Sequence, residues 1–513
     1  MSGHDVIVVG AGPNGLAAAG LLARAGRRVL VLERREVVGG LAAVEEFHDG
    51  YLSTGPLHDT TVVRPGVIRA LDLTLHGLGL REHAPGLLAL GDDGAGLLLG
   101  GDRTRAAERI AAISPDDAEQ YRRFVAFIDR VRPVVDQFVD NPPLDLIRFE
   151  TNRVGDLLRR GLRLRRLGKR EMLEFLRLLS MSVADWLDEW FRGDLLKAAL
   201  AHAAIAGSAS GPRSPGTGTT MLLHACGSRG GVVSGAPGLV AALARAAEAS
   251  GAEIRTSAPV ESILLSSGRV EGVRLVGGES LPAAHVACSC DPKHALLELL
   301  PRGVLASRTE QRIRKFRARG TTAQVKLAVA GPVRFTALPD RPIELARTGS
   351  SLDRLERACD AIKYRSLSAM PILEIHVPTV SSPQLAPDGH SVISTLVHFA
   401  PHDLEGGWDD GARERLGDTV VSILSEHIAD LPTFTRAREV LAPPDLERRY
   451  GIHGGQIHHG ETALDQLLIR PTPECTGYRT PVPGLYLCGS GSHPGGGLTL
   501  SPGAQAAATI LSD

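Results

Sequence analysis

The sequence predicts an α/β protein, α+β overall, in which one domain is inserted into another. Two observations favour this fold. A strand–turn–helix–strand pattern opens the chain between Asp5 and Leu41, and a similar α/β pattern returns near residue 230 after about 150 mostly helical residues. Strands that alternate with helices are typical of a Rossmann-type parallel sheet, and the long interruption indicates a discontinuous domain.

The opening unit contains a glycine-rich turn between a buried strand and a helix. After the apolar strand comes Gly10-Ala11-Gly12-Pro13-Asn14-Gly15, and a second strand ends at Glu33. In a G-x-G-x-x-G turn the glycines allow a sharp turn, a close approach to pyrophosphate and close packing of helix on strand. The helix N-terminus attracts phosphate, and an acid about 20 residues on accepts hydrogen bonds from a ribose. The unit therefore predicts a dinucleotide site.

A second glycine pair follows the acid, in the segment from Arg34 through Gly39, Gly40 and Leu41. Glycine has no Cβ, so the pair allows another close approach of backbone to a cofactor. The R-x-x-x-G-G pattern is similar to that of flavin proteins of the glutathione-reductase fold group, and an ordinary turn is the alternative. The resemblance implies FAD, with Arg34, Gly39, Gly40 and Leu41 in the cofactor site.

The composition excludes several other classes of protein. A hydrophobic content of 43% and a charged content of 22% are typical of a soluble globular protein. A net charge of -1 and only 4% aromatic residues argue against nucleic acid as a partner. The sequence shows no long apolar run and no secretory signal, so a cytoplasmic location is expected. The six cysteines have neither redox nor zinc spacing, and no metal site is expected.

Helical patterns dominate the insertion, and strands return after it. Ser114 to Asp117 indicates the start of a helix towards Val139, where Asn141-Pro142-Pro143 ends it. One helix is expected over 182–206, a loop over 207–218 and a helix over 239–250. Strands are expected over 253–256, 260–265, 269–276, 284–288, 321–329, 372–377, 391–399 and 484–488, and the last helix from 503.

The length of 513 residues is large for one core, so two joined domains are expected. The pattern of elements predicts a discontinuous FAD-binding domain and a substrate domain of helices plus a mixed sheet. The first comprises 1–75, 228–295 and 470–513. The second comprises 76–227 and 296–469.

One stretch, 153–177, is strongly basic and interleaved with leucines. Its charged residues are Arg159, Arg160, Arg163, Arg165, Arg166, Lys169 and Arg170. A basic amphipathic surface can dock on anionic lipid, which predicts peripheral contact with a membrane. A solvated helix face on the substrate domain is the alternative.

Several motifs resemble those of phytoene-desaturase-like flavoproteins. They are the opening turn, Gly235-Ala236-Pro237-Gly238 before its helix, and the end segment from Tyr478 to Gly491. The segments 181–191, 214–217 and 459–467 are most similar to the branch of pyridine nucleotide-disulfide oxidoreductase domain-containing proteins and desaturase-like carotene ketolases. The resemblance implies a glutathione-reductase/amine-oxidase-like fold, non-covalent FAD and a buried cavity for apolar substrates.

The same resemblance implies further cofactor contacts. The backbone of Val260 would contact the adenine, and Gly489, Ser490, Leu498, Thr499 and Leu500 would lie at the flavin. The family commonly has a longer glycine-rich run where this chain has Gly497-Leu498-Thr499-Leu500. The substrate of any one family member therefore does not carry over to this chain.

The activity implied by the resemblance is dehydrogenation, or desaturation, of an apolar polyene or acyl chain by hydride transfer to flavin N5. Amine-oxidase-like and ketolase-like flavoenzymes are alternatives, and a non-enzymatic prenyl- or lipid-binding escort shares the fold. The electron acceptor, oxygen or a quinone, and the oligomeric state stay open. The chain has one dinucleotide fingerprint, so no tight NAD(P)H site is expected.

Three side chains are candidates for the chemistry: Lys326, His58 and His459. Lys326 lies in a strand whose Val325 and Leu327 face a core, so it faces either solvent or the cavity. Its strand resembles one in amine-oxidase-like flavoproteins that holds a lysine, through a water, near N5. His58 lies close to the cofactor motif and is either at the flavin or hydrogen-bonded within a loop. His459 begins a segment that resembles the family.

Overall fold

The structure is a computed structural model that describes residues 3–143 and 154–513. Its strands are β1 (His4–Val9), β2 (Val29–Leu32), β3 (Val44–His48), β4 (Tyr51–Thr54), β5 (Leu87–Leu90), β6 (Gly96–Leu99), β7 (Glu253–Arg255), β8 (Val260–Ser266), β9 (Arg269–Leu275), β10 (Ser280–Cys288), β11 (Thr322–Val329), β12 (Leu345–Arg347), β13 (Ile372–His376), β14 (Ser391–His398), β15 (Thr435–Leu441) and β16 (Leu485–Leu487).

The α-helices alternate with these strands along the chain. They are α1 (Pro13–Arg24), α2 (Pro65–Ala70), α3 (Arg103–Ala111), α4 (Pro115–Val139), α5 (Val154–Arg166), α6 (Lys169–Leu178), α7 (Val183–Trp190), α8 (Asp194–Ile205), α9 (Thr217–Gly227), α10 (Gly235–Ala249), α11 (Ser307–Lys315), α12 (Leu352–Lys363), α13 (Asp410–His427), α14 (Leu431–Phe434), α15 (Pro443–Tyr450), α16 (Leu464–Leu467) and α17 (Ser501–Ser512). Among the described residues, no helix has the length and apolar character needed to cross a membrane.

The first sheet has the order β7-β2-β1-β10-β9-β8, and β16 pairs with β10. Its parallel core comprises β7, β2, β1, β10 and β16, whereas β9 is antiparallel to both β10 and β8. These strands come from three separate stretches of the chain, 4–32, 253–288 and 485–487. The exact domain boundaries stay a prediction.

The two faces of this sheet bury alternate side chains of β1. Val6 and Val8 pack with α1, α10 and α17 in one core, while Ile7 and Val9 face a second core. Alternation in a strand that is covered on both sides explains why the opening apolar run is continuous. The carboxyl end of β1 and the N-terminus of α1 therefore meet at one edge of the sheet.

The second sheet is mixed and has the order β15-β11-β14-β13-β12-β5-β6. The β12–β5 pair is parallel, and the other pairs are antiparallel. One face packs on α13, and α4, α7, α8 and α9 form a helical core of their own beside the sheet. The predicted combination of an α/β domain with a mixed sheet plus helices is confirmed.

Three predicted elements differ in the structure. The single helix expected over 182–206 is wrong: α7 and α8 are separated where the Asp117 carboxylate accepts hydrogen bonds from the backbone N–H groups of Arg192 (2.9 Å) and Gly193 (2.8 Å). The chain also forms α9, which the sequence did not predict, and β10 begins at Ser280 instead of Ala284. The break between α7 and α8 therefore depends on tertiary hydrogen bonds to Asp117 in α4.

Candidate active site

The glycine turn has the geometry that a pyrophosphate requires. Gly10 has a φ of 99°, and a Cβ added to Gly15 would lie 2.1 Å from the Gly10 carbonyl oxygen, so both positions need glycine. By contrast, a Cβ on Gly12 would have no heavy atom nearer than 3.9 Å, which leaves this side of the turn open. The first turn of α1 presents its free N–H groups there, and these residues fit the phosphates of a dinucleotide.

Glu33 is buried at the end of β2 and holds the turn in place. Its carboxylate accepts hydrogen bonds from the backbone N–H of Ala11 (2.8 Å) and of Arg35 (3.0 Å). Each carboxylate oxygen has more than one acceptor site, so both can still accept from a ribose hydroxyl. The acid predicted to bind ribose thus lies beside the glycine turn.

The second glycine pair lies directly on the first turn. The backbone N–H of Gly39 donates to the Ala11 carbonyl (2.8 Å), and a Cβ on Gly40 would lie 3.2 Å from the Cα of Gly12. Leu41 is buried next to this contact. The guanidinium of Arg34 instead donates to the carbonyls of Arg448 (3.0 Å) and Arg449 (2.7 Å), near the end of α15.

The C-terminal loop closes over the same turn. Asn14 Nδ2 donates to Ser490 Oγ (3.1 Å), and a Cβ on Gly503 would lie 2.1 Å from the Asn14 carbonyl oxygen. Leu500 has a φ of 64° and precedes α17, so its strained backbone aims the helix N-terminus at this region. The described residues predicted for the cofactor therefore converge from both chain ends, although their contacts with FAD stay predictions.

Val260 begins β8, and the segment before it runs along Glu33. The backbone N–H of Ala258 donates to the Glu33 carbonyl (2.8 Å), and that of Ser257 donates to the Arg35 carbonyl (2.9 Å). Val260 therefore lies two residues beyond Ala258, the residue that is hydrogen-bonded to the ribose-binding candidate Glu33. The predicted contact of its backbone with adenine stays a prediction.

A cavity of about 870 Å³ lies between the C-terminal loop, the second sheet and the helical core. The loop contributes Gly496, Gly497, Leu498 and Thr499 to its lining. Its apolar wall comes from α4, α8, α9 and β14, through residues that include Phe124, Val125, Ile128, Leu200, Met221 and Leu396. The predicted cavity is thus present, and it reaches the loop predicted to contact the flavin.

One part of the cavity wall is polar. It contains His58, His376 and His398, which surround Glu374, and we call these three histidines the histidine cluster. His58 Nε2 lies 3.0 Å from Glu374 Oε1, and the rings of His58 and His376 stack 4.5 Å apart. Arg347 donates to Glu374 Oε2 from Nε and Nη2, at 2.8 Å each. Burial alone would raise the pKa of Glu374, but Arg347 and His58 hold this pKa well below its ordinary value.

Three histidines of the cavity, His376, His398 and His458, are kept neutral by burial. Burial lowers the pKa of His398 and of His458 to about 4, and it also lowers the pKa of His376. A neutral imidazole can both donate and accept a hydrogen bond. The structure therefore lines this part of the cavity with neutral groups that have both capacities.

A fourth histidine lies behind the cluster. His202, from α8, is fully buried, and its Nδ1 lies 3.6 Å from Glu374 Oε2. The potential ligand atoms of His202, Glu374 and His398 all lie within 4.8 Å of one another. These residues are far apart in the sequence, so their spacing gave no indication of a cluster. The polar residues Glu374 and His376, two apart in an otherwise apolar strand, are the signal that could have revealed it.

Lys326 is buried, which excludes the alternative of an exposed strand face. Its ammonium lies 2.8 Å from Glu439 Oε2 and 5.8 Å from the centre of the Phe47 ring. Burial lowers its pKa, as predicted, while Glu439 acts in the opposite direction. Lys326 is absent from the described residues that line the cavity. Its role near N5 stays a prediction, and the ion pair with Glu439 is a structural alternative.

Of the two candidate histidines, only His58 lines the cavity. His459 is partly buried with a φ of 55°, its Nδ1 has no hydrogen-bond partner among the described residues, and burial lowers its pKa. It belongs to the same loop as His458, which does line the cavity. The alternative in which His58 is only hydrogen-bonded within its loop is incomplete, because its imidazole contacts the carboxylate of Glu374 in β13.

Comparisons with known proteins agree with this architecture. The model of the flavin containing amine oxidoreductase family matches residues 14–510. Pyridine nucleotide-disulfide oxidoreductase domain-containing protein 2 of Rattus norvegicus is 33% identical, over 99% of this chain and 94% of its own length. The lycopene-forming phytoene desaturase of a Paracoccus species is 26% identical, over 96% and 94%. An oxidoreductase structure from Methanosarcina mazei has a TM-score of 0.62 and 16% identity, and the match covers 99% of this chain and 100% of that one.

The chain belongs to the flavin containing amine oxidoreductase family. It is a flavin-dependent oxidoreductase, and since its glycine turn is that of a dinucleotide site, the flavin is FAD. The predicted resemblance to phytoene-desaturase-like flavoproteins is confirmed. Family membership also confirms the prediction of an enzyme over that of an escort protein.

Proposed function

We propose that the protein dehydrogenates an apolar chain, of the polyene or acyl class, bound in the cavity. The observation that carries the proposal is the long apolar wall formed by α4, α8 and α9, which leads to the loop 496–499. Such a wall binds a hydrocarbon chain by removing its surface from water. A relative named phytoene desaturase supports the same class of substrate.

FAD, when bound, accepts the hydride that a dehydrogenation releases. The other product is a proton, and the protein must supply a group that takes it. His398 and His458 are neutral groups in the cavity wall, and a neutral imidazole has a nitrogen lone pair that can accept a proton. The glycine turn and Glu33 hold the cofactor, and the helical core positions the substrate.

An amine-oxidase-like reaction is the second candidate, because the family name includes amine oxidoreductases. An alkylammonium substrate needs an uncompensated carboxylate or an aromatic cage. Here the Glu374 carboxylate is paired with Arg347, and that of Glu344 with Arg81 at 2.8 Å. These pairings favour a neutral chain over an amine in the part of the cavity lined by Glu374 and Glu344, although the carboxylates of Asp59, Glu82, Asp102 and Asp129 also line the cavity. A ketolase-like reaction and the choice between oxygen and a quinone as acceptor stay open.

Anaerobic titration of the purified yellow protein tests the proposal. Isoprenoid or acyl chains are expected to bleach the oxidised flavin absorption, whereas the corresponding saturated primary amines are not. Bleaching by amines alone would move the assignment to an amine oxidase. A flavin that stays oxidised with every chain offered, in a protein that binds those chains, would overturn the proposed dehydrogenation.

A further inference from the structure

The histidine cluster has more hydrogen-bonding capacity than the protein uses. Both ring nitrogens of His398 and Nδ1 of His376 have no hydrogen-bond partner among the described residues, while Nε2 of His58 lies 3.0 Å from Glu374 Oε1. These side chains are buried, and all three line the cavity. Buried polar atoms without partners are costly, so a cluster of them in side chains that line one cavity indicates a ligand with polar atoms of its own.

The charge of the histidine cluster indicates which polar group of a ligand can bind to it. Glu374 carries the negative charge and Arg347 neutralises it through two contacts of 2.8 Å to one oxygen. The buried imidazoles of His376 and His398 add donors and acceptors without charge. An ammonium or a carboxylate would therefore be desolvated here without an uncompensated partner of opposite charge, which is costly. A neutral group that can donate or accept meets no such cost.

We propose that the histidine cluster binds a neutral oxygen group, a hydroxyl or a carbonyl, at one end of the substrate chain. The inference deepens the proposed function and rests on it, because it takes the cavity as the substrate site. The ligand is then amphipathic: its hydrocarbon part lies along α4, α8 and α9, and its oxygen contacts His398 and its neighbours. The chain direction in the cavity is set by this polar end.

A metal ion is the competing occupant of the cluster. Two histidines and a carboxylate form the donor set of many zinc and iron sites, and His202, Glu374 and His398 lie close enough to offer it. Arg347, however, already occupies Glu374 Oε2, and a divalent cation would add two positive charges beside the guanidinium. This arrangement favours the neutral oxygen group.

Binding of matched ten-carbon ligands tests the inference without turnover. Decane, decanol, decanal, decylamine and decanoate are titrated into the flavin-loaded protein, with the visible flavin spectrum and calorimetry as readouts. Decanol and decanal are expected to bind at least about tenfold more tightly than the other three, because one or two neutral hydrogen bonds contribute this much. Metal analysis of the same protein measures zinc and iron.

Two variants identify the groups that bind the oxygen. His398→Leu is expected to remove the preference for decanol over decane, whereas His398→Gln retains most of it because an amide also donates and accepts. His294→Leu is the control, because His294 pairs with Glu298 and is not among the described residues that line the cavity. Should His398→Leu lose flavin or fail to fold, His58→Leu, a loop variant, is expected to weaken decanol binding selectively.

Three results would overturn the inference: decane binding as tightly as decanol, tightest binding of the amine or the carboxylate, or one equivalent of metal per chain. Each can be told apart from failure of the proposed function. If no chain reduces the flavin but decanol still binds more tightly than decane, the proposed dehydrogenation is wrong and the proposed binding site for the oxygen group is retained. If chains reduce the flavin without any such preference, only the polar site fails.

Discussion

At the scale of single residues, Glu33 shows how one side chain can serve both the fold and the cofactor. Its carboxylate accepts from the backbone of Ala11 and Arg35, so it stabilises the glycine turn even before a ribose is bound. A substitution there removes acceptors from two backbone N–H groups as well as from the ligand. Effects on stability and on FAD affinity are therefore coupled at this position.

Glu33→Ala is expected to weaken FAD binding by about 1–3 kcal/mol, the cost of leaving buried polar groups without partners. The dissociation constant is measured by fluorescence as FAD is added to the flavin-free protein. The exposed neighbour Glu36 provides the control, since Glu36→Ala removes a carboxylate from the same segment. Equal affinities for the two variants would show that Glu33 does not contact the cofactor.

Lys326→Met separates two roles of a buried lysine. If Lys326 acts near N5 as predicted, the substitution is expected to change the rate of flavin reduction or reoxidation by more than about twofold, with FAD content unchanged. Rates that stay within about twofold, together with lower thermal stability because Glu439 loses a partner, would show that the lysine serves only the ion pair.

At the scale of elements, α5 and α6 expose the features that predicted membrane contact. Leu158, Leu162, Leu173 and Leu176 are all exposed, and Arg163, Arg165 and Arg166 are exposed among them. Exposed leucines beside arginines are typical of a surface that lies on anionic lipid. Arg153, at the start of the predicted stretch, lies outside the described residues.

We propose that this helix pair docks on anionic membranes and expect the double variant R163E/R166E to lower binding to phosphatidylserine vesicles by at least about tenfold, since each arginine contributes about 1 kcal/mol. Co-sedimentation at physiological salt is the measurement. R302E/R308E, which changes two exposed arginines elsewhere, is the matched control. Sedimentation that is the same for both variants would identify the stretch as a solvated helix face.

At the scale of the whole molecule, buried neutral histidines couple stability to pH. Burial lowers the pKa of His398, His458 and His493 to about 4, whereas in the unfolded chain each titrates near 6.5. Between these values the unfolded state binds more protons than the folded state. The free energy of unfolding therefore rises with pH from about 4 to about 6.5 and falls on acidification through the same window.

Each of these histidines is expected to cost about 2 kcal/mol of stability between pH 7 and pH 5. The midpoint of thermal unfolding, followed by circular dichroism, should drop steeply over this interval in the wild type. His398→Gln should flatten the dependence, and His294→Gln should leave it unchanged. A wild-type midpoint that is the same at pH 5 and pH 7 would contradict the assigned neutrality of the buried rings.

The local sequence pattern was sufficient to predict the cofactor-binding half of the protein. The glycine turn, the acid at Glu33 and the strands around them are close in sequence, and the steric needs of a turn against pyrophosphate permit few residue types. The family resemblance extended this reading to the C-terminal loop. Elements whose form depends on neighbours, such as the break between α7 and α8, were not predictable, because Asp117 supplies the deciding hydrogen bonds from another helix.

By itself the sequence determined the fold class, the flavin cofactor and the kind of enzyme, because these depend on short-range spacing and on motifs shared with relatives. Only the tertiary structure decided the chemistry of the cavity wall. His58 lies in a loop more than 300 residues before Glu374 and His398, which lie in β13 and β14, and burial together with Arg347 sets the charges of Glu374 and His398. Burial and charge are properties of the assembled fold, so no pattern of neighbouring residues could specify them.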